Sequence, residues 1–121
     1  GLGAAEKIPA HKKPPTAIFA SNDDMAAAVV SVAHRRGLDV PRDLSVVGFD
    51  DTSAATTVWP ELTTIHQPIA SMADSAIDIL LRGIRRKDKS TRVVVDHVVA
   101  HQLCRRDSVA PPAPAKGARG D

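Results

Sequence analysis

The sequence has few aromatic residues and almost no cysteine. Only 2% of its 121 residues are aromatic while 43% are hydrophobic, so a core must be built from alanine, valine, isoleucine and leucine. Such a composition is common in layered α/β proteins. The single cysteine, Cys104, cannot form an internal disulfide. That fits a reducing cytoplasm, although many periplasmic proteins also lack disulfides.

Long hydrophobic runs and a strong net charge are missing too. No apolar run approaches the ~20 residues of a membrane-spanning helix, so we expect no membrane partner. The N-terminus lacks the charged start and apolar stretch of a secretion signal, and it begins with Gly1, as expected of a fragment or a processed product. The net charge of +2, from 16 basic and 14 acidic residues, is too small to indicate nucleic-acid binding.

Motifs for catalysis are absent as well. The sequence contains no G-x-S-x-G, no C-x-x-C and no glycine-rich phosphate loop. His97, His101 and Cys104 form an H-x3-H-x2-C pattern, but four residues of strand span ~13 Å, too far for two ligands of one metal. Asp50 and Asp51 are adjacent and would point to opposite faces of a strand, unlike a glycosidase pair. We therefore predict no enzyme, no metal and no cofactor.

Short apolar runs alternate with helical patterns along the chain. The runs predict buried strands at 16–21, 44–50 and 63–67, with β-segments within 92–106. The periodic segments predict helices at 23–36 and 69–86, and shorter ones within 1–8 and 51–60. This order predicts an α/β fold with a parallel sheet and helices on both of its faces.

One folded subdomain is predicted over residues 1–107. The remaining residues, 108–121, form a Pro/Gly/Ala-rich tail that we expect to be disordered.

Polar side chains follow three of the predicted strands. Asn22 and Asp23 follow the first strand, Asp50 and Asp51 the second, and Gln67 the third. Ligands of parallel α/β sheets bind outside the carboxyl ends of the strands, and amides with carboxylates can hydrogen-bond a hydroxyl-rich ligand. Helix capping and strand-end turns are the alternative roles for the same residues.

Four sequence blocks then carry a resemblance to a known family. They are TAIFASNDDMA, RGLDVPRDLSVVGFDD, LTTIHQP and RRDSVAPP, in this order, over about residues 14–112. Together they resemble the C-terminal part of lac repressor/galactose repressor family regulators. The resemblance implies a periplasmic-binding-protein-like fold of two α/β lobes, of which this chain is the C-terminal one.

The resemblance also implies roles for individual residues. An effector, a sugar or a nucleobase, would bind between the lobes against Asn22 and Asp50, with Gln67 beside the cleft. Homodimers would form through the helix after N-D and the short helix after the G-F-D-D block. The matching positions are Ala27, Val30 and Val58, with neighbouring Trp59 as an apolar anchor.

In such a regulator, operator DNA is bound by an N-terminal headpiece, and this chain contains none of it. The resemblance thus predicts the effector-sensing and dimerisation lobe of a cytoplasmic transcriptional regulator. The alternative is part of a periplasmic sugar-binding transport protein of the same fold.

Overall fold

The computed structural model describes residues 3, 14–86 and 96–114. Seven elements occur in the order β1 (Ala17–Phe19), α1 (Asp23–Arg35), β2 (Ser45–Val47), α2 (Ala54–Thr57), β3 (Thr64–His66), α3 (Ile69–Arg85) and β4 (Gln102–Cys104). Apart from Gly3, the helix predicted within 1–8 lies outside the described residues, as do 92–95 of the predicted β-segments.

The first three strands are parallel neighbours. β1 pairs with β2 in a register that places Ala17 opposite Ser45 and Phe19 opposite Val47. Parallel bridges continue from the β2 region to β3, and β3 also pairs with β4. The prediction of an α/β fold with a parallel sheet is therefore confirmed.

The second strand is shorter than predicted. It ends at Val47 instead of residue 50, because the following backbone leaves the extended conformation. Asp50 and Asp51 have positive φ angles of 104° and 56°. Residues with side chains seldom adopt such angles, and a regular strand cannot contain them.

Helix α1 begins and ends at residues that favour helix termini. The side chain of Asn22 accepts a hydrogen bond from the backbone N–H of Met25 at 2.8 Å, as an N-cap does. At the other end Gly37 has a φ of 71°, and the Leu38 N–H returns to the carbonyl of Ala33 at 2.9 Å. Glycine tolerates this left-handed angle, so α1 stops where the sequence predicts.

The hydrophobic core is aliphatic and lies where α1 packs against β2 and α2. Its buried residues are all alanine, valine or leucine, as the composition predicts. They are Ala20, Ala26, Val29, Val30, Val32, Ala33, Val40, Leu44, Val46, Ala55 and Leu62.

The C-terminal segment returns to the sheet through two serines. Ser108 is fully buried, and its hydroxyl donates to the carbonyl of Val46 and accepts from the N–H of Thr63 at 2.8 Å. The Val46 N–H donates in turn to the Ser108 carbonyl at 2.9 Å. The Ser45 hydroxyl bonds both the N–H and the carbonyl of Ala110.

The prediction of a disordered tail over residues 108–121 is therefore wrong for residues 108–110. Residues 108–110 are held by the sheet, because two buried serines satisfy backbone groups that would otherwise lack partners. Residues 111–114 are exposed, and 115–121 lie outside the described residues.

The chain divides into two compact units where one subdomain was predicted. The sheet unit comprises the described residues up to His66 and those from Leu103 onward, and the α3 unit comprises the described residues of 67–102. The core belongs to the sheet unit. No residue of α3 is buried by the described part of the chain, although its periodicity predicted an amphipathic helix.

Candidate functional site

Two of the predicted ligand-binding residues, Asn22 and Asp50, are brought together at one edge of the sheet. The residues next to them are hydrogen-bonded, since the Asp23 N–H donates to the Phe49 carbonyl at 3.0 Å. Asn22 and Asp50 are both half-buried and follow the carboxyl ends of the parallel strands β1 and β2. The topology therefore places both residues at the sheet edge where α/β proteins bind ligands, and their role as ligand-binding residues stays a prediction.

The backbone around Asp50 is held on the side of β3. Its N–H donates to the Ile65 carbonyl at 2.9 Å, and Asp50 forms a parallel bridge with His66. This contact accompanies the positive φ of Asp50, which would be costly in an unsupported loop. Asp50 is thus presented by a segment whose shape depends on tertiary contacts.

Asp23 lies beneath this edge and is completely buried, with a relative exposure of 0%. Its Oδ2 accepts from the Thr52 N–H at 2.7 Å and from the Thr52 hydroxyl at 3.3 Å, while Oδ1 accepts from the Thr64 hydroxyl at 2.6 Å. A Cβ on Gly48 would overlap Asp23 Oδ1. Glycine at this position therefore makes room for the carboxylate.

Asp51 is the centre of a second polar cluster. Its Oδ1 accepts from Arg106 at 2.8 Å, and its Oδ2 lies 3.1 Å from His66 Nδ1 and 3.7 Å from the Cys104 thiol. The hydrogen bond from Arg106 lowers the pKa of Asp51 below its usual 3.8; the charge of Arg106 and the bond to His66 add to this effect, and desolvation opposes it. Asp51 thus remains ionised and holds β3 and the C-terminal segment together.

Arg106 itself has several partners in this cluster. It donates to the Leu62 carbonyl at 3.0 Å and lies 3.8 Å from the carboxylate of Glu61. Its hydrogen bond to Asp51 raises the pKa of the guanidinium further. The R-x-S of the last sequence block therefore stabilises the fold, through Arg106 and Ser108.

An aromatic pair lies near the Asn22–Asp50 edge. The rings of Phe19 and Phe49 meet edge to face, with centroids 6.4 Å apart and planes at 87°. Phe49 directly precedes Asp50, and Phe19 is 64% exposed. The apolar face of a sugar ring or a base could pack on such a surface.

The third predicted ligand-binding residue, Gln67, belongs to the α3 unit. It is half-buried, and its carbonyl accepts from the Ile69 N–H at 2.9 Å, just before α3 begins. Its role at the site stays a prediction.

The four predicted dimer residues differ in exposure. Trp59 is 76% exposed, while Ala27 and Val58 are half-buried. Val30 is completely buried in the core and has no surface with which to contact a partner. It therefore supports α1 from within, and a dimer surface would have to use the other three.

Sequence reasoning missed how Asp23 and Asp51 are used. Both were predicted among the strand-end polar residues suited to a ligand, with helix capping and turns as the alternatives, whereas each joins segments distant in sequence. The two threonines that contact Asp23, Thr52 and Thr64, follow no sequence motif.

Two further observations bear on the class of site. Within residues 14–86 and 96–114, no group of three His, Cys, Asp or Glu side chains is arranged to hold a metal ion. Among the same residues, no helix is both long and apolar enough to cross a lipid bilayer.

Comparison with known proteins identifies the class. The model of the periplasmic binding protein-like domain matches residues 2–109. The chain belongs to this domain family, and the resemblance to lac repressor family regulators is confirmed by its relatives. The HTH-type transcriptional repressor PurR of Vibrio cholerae (strain M66-2) is 39% identical over 106 residues, which are 88% of this chain and 31% of the repressor.

Solved structures agree with this assignment. A LacI transcriptional regulator from a Rhodococcus species has a TM-score of 0.79 and 37% identity, over 93% of this chain and 40% of its own. A LacI family regulator from Lactobacillus casei with bound sucrose has a TM-score of 0.71 and 30% identity, over 89% and 39% of the two chains. This chain thus spans about a third of the length of its curated relatives.

Proposed function

We propose that this chain is the effector-sensing and dimerisation lobe of a bacterial transcriptional regulator that acts in the cytoplasm. The observation that carries the proposal is the position of Asn22 and Asp50 after neighbouring parallel strands, where the adjacent residues Asp23 and Phe49 are hydrogen-bonded, in a chain whose relatives are repressors. Operator DNA is bound by residues outside this chain, and the lobe does no catalysis. Effector binding shifts the regulator between two states of different affinity for DNA.

The effector is a small molecule with several hydrogen-bonding groups, a sugar or a nucleobase. The carboxylate of Asp50 accepts hydrogen bonds from it, and the Asn22 amide donates while its oxygen caps α1. Gln67 is a further proposed ligand-binding residue. A bound sucrose in the Lactobacillus casei regulator supports a sugar, and a nucleobase is the other class.

The dimer forms through Ala27, Val58 and Trp59. A tryptophan that is 76% exposed next to a half-buried valine is the kind of apolar anchor that protein interfaces use. The transport-protein alternative has less support, because the curated relatives described above are repressors.

The test uses the complete regulator and two measurements. A thermal-shift screen of sugars, including sucrose and cellobiose, and of nucleobases identifies an effector, since a ligand raises the apparent stability of the state it binds. A gel-shift assay with DNA selected from a random pool then measures how the effector changes DNA binding. Asp50→Ala is expected to weaken effector binding at least about tenfold and to leave DNA binding without effector unchanged.

Asp107→Ala is the matched control, because Asp107 is an exposed carboxylate of the same unit. It is expected to respond to effector like the unaltered regulator. A full response in Asp50→Ala would show that the effector binds elsewhere.

A further inference from the structure

Asp23 contacts both sides of the segment that carries Asp50. Its backbone N–H donates to the Phe49 carbonyl at 3.0 Å, and its carboxylate accepts from the Thr52 N–H at 2.7 Å. Between these two contacts lie only Asp50 and Asp51. We infer that Asp23 is a positioning residue, which holds Asp50 at a set place relative to Asn22.

The backbone of the segment around Asp50 is in a conformation that tertiary contacts must stabilise. Asp50 and Asp51 both have positive φ angles, and two successive residues with side chains persist there only where the surrounding structure keeps them. If the Thr52 contact were lost, the segment could relax toward commoner angles, and Asp50 would move away from Asn22. The two residues proposed to bind effector would then no longer be aligned for one ligand.

The carboxylate is itself held in place. The Thr64 hydroxyl of β3 donates to Oδ1 at 2.6 Å, and Gly48 of the segment after β2 lies against the same oxygen. Asp23 is also the first residue of α1, where a negative charge is favoured by the helix dipole. Contacts from α1, β3 and the segment after β2 therefore meet at this one buried group.

The chemistry requires a carboxylate and not merely its shape. The three side-chain contacts of Asp23 are with donors: the N–H and hydroxyl of Thr52 and the hydroxyl of Thr64. Asparagine has the same shape but no charge. Its NH2 group would face either the Thr52 N–H, which cannot accept, or the Thr64 hydroxyl, which can, and Thr52 would then have only a neutral carbonyl acceptor. Asp23→Asn therefore breaks or weakens the contact with Thr52, with little change in volume.

The first measurement is hydrogen–deuterium exchange of the complete regulator without effector. In Asp23→Asn, the amides of residues 50–52 are expected to exchange about tenfold to a hundredfold faster, the range for losing a hydrogen bond to a charged group. Asp24→Asn is the matched control: the neighbouring exposed residue loses the same charge, and exchange is expected to stay unchanged.

Two further variants separate positioning from stability. Gly48→Ala should reproduce the faster exchange, because its Cβ displaces the carboxylate while Asp23 is intact, and it serves where Asp23→Asn fails to fold. Thr64→Val removes only the partner of Oδ1 and keeps the Thr52 contact. It should lower the unfolding temperature and leave exchange of residues 50–52 much less affected.

The consequence for effector binding rests on the proposed function. Asp23→Asn is expected to weaken the binding of the compound found in the screen by about tenfold or more, when binding is measured well below the unfolding temperature of the variant. Unchanged exchange of residues 50–52 in a folded Asp23→Asn or Gly48→Ala variant would overturn the positioning role. If exchange rises but Asp50→Ala still responds fully to effector, the positioning role stands and the proposed effector site is wrong.

Discussion

Two helices of this chain have apolar faces, but their surroundings differ. α1, in the sheet unit, buries six residues, from Asp23 to Ala33, against the sheet and α2. α3 has a longer and more regular apolar stripe, and none of its residues is buried by the described part of the chain. Apolar periodicity therefore predicts that a helix has a face to bury, while the contacts of each unit decide whether that face is covered.

The largest effect on stability is expected when a buried leucine is replaced, and an exposed leucine provides the comparison. Leu62 is 0% exposed in the sheet unit, and Leu80 of α3 is 64% exposed. Leu62→Ala should lower the free energy of unfolding by about 2–5 kcal/mol, because it leaves a cavity in the core. Leu80→Ala should change it by no more than about 0.5 kcal/mol.

Urea unfolding of the 121-residue chain measures both changes. Equal losses for the two variants would mean that the stripe of α3 is covered in solution, and the contrast between the two units would not hold.

The next largest effect concerns dimerisation, and it can be tested on two equally exposed apolar residues. Trp59 of the sheet unit and Ile84 of α3 are each 76% exposed. Trp59→Ser should weaken the proposed dimer by about 2 kcal/mol, because an aromatic anchor at an interface carries much of the binding energy. Ile84→Ser should leave dimerisation unchanged. Sedimentation of the complete regulator over a range of concentrations measures the dimer affinity of both variants. If Ile84→Ser weakened the dimer more than Trp59→Ser, the dimer surface would lie on α3 instead.

The smallest effect is the pH-dependent stability contribution of Asp51, for which a second aspartate serves as the comparison. The pKa of Asp51 is lowered in the folded chain by Arg106, so its contribution to stability is fully present above its unfolded pKa, near 3.8. The contribution is lost as the pH falls through the folded value. Asp51→Asn should therefore cost about 1 kcal/mol at pH 7, a modest figure because solvent screens the partly exposed pair, and progressively less as the pH falls below 3.8.

Asp74→Asn on α3 is the control, since Asp74 is exposed. Its effect should be small at both pH values in urea unfolding. A cost for Asp51→Asn that persisted unchanged in acid would show that the side chain acts through packing and not through its charge.

The helices were the elements that the sequence predicted best. α1 and α3 begin at the predicted residues and end within one residue of the predicted ends, because caps, glycine and apolar periodicity are local signals. The strands were predicted in place but too long. The shortening of β2 accompanies the positive φ angles of Asp50 and Asp51, in a segment that is hydrogen-bonded to β3 and α1.

The candidate site shows the same division. The positions of Asn22 and Asp50 at the sheet edge could be predicted, because strand ends of a parallel sheet meet at one edge, and their role as ligand-binding residues stays a prediction. Asp23 and Ser108 could not, because each acts through hydrogen bonds to residues more than 25 positions away. Val30 was misplaced on a dimer surface, since sequence alone does not reveal which side of an alanine-rich helix faces the core.

By itself, then, the sequence determined the alternating α/β order, the helix ends, the aliphatic core and the strand-end polar residues. All of these depend on neighbours along the chain or on simple periodicity. Only the tertiary structure decided that Asp23 would be buried beneath Asp50, that Arg106 and Ser108 would bind the C-terminal segment to the sheet, and that α1 would be covered. Those outcomes depend on contacts between distant segments, whose hydrogen bonds and packing form only when the chain has folded.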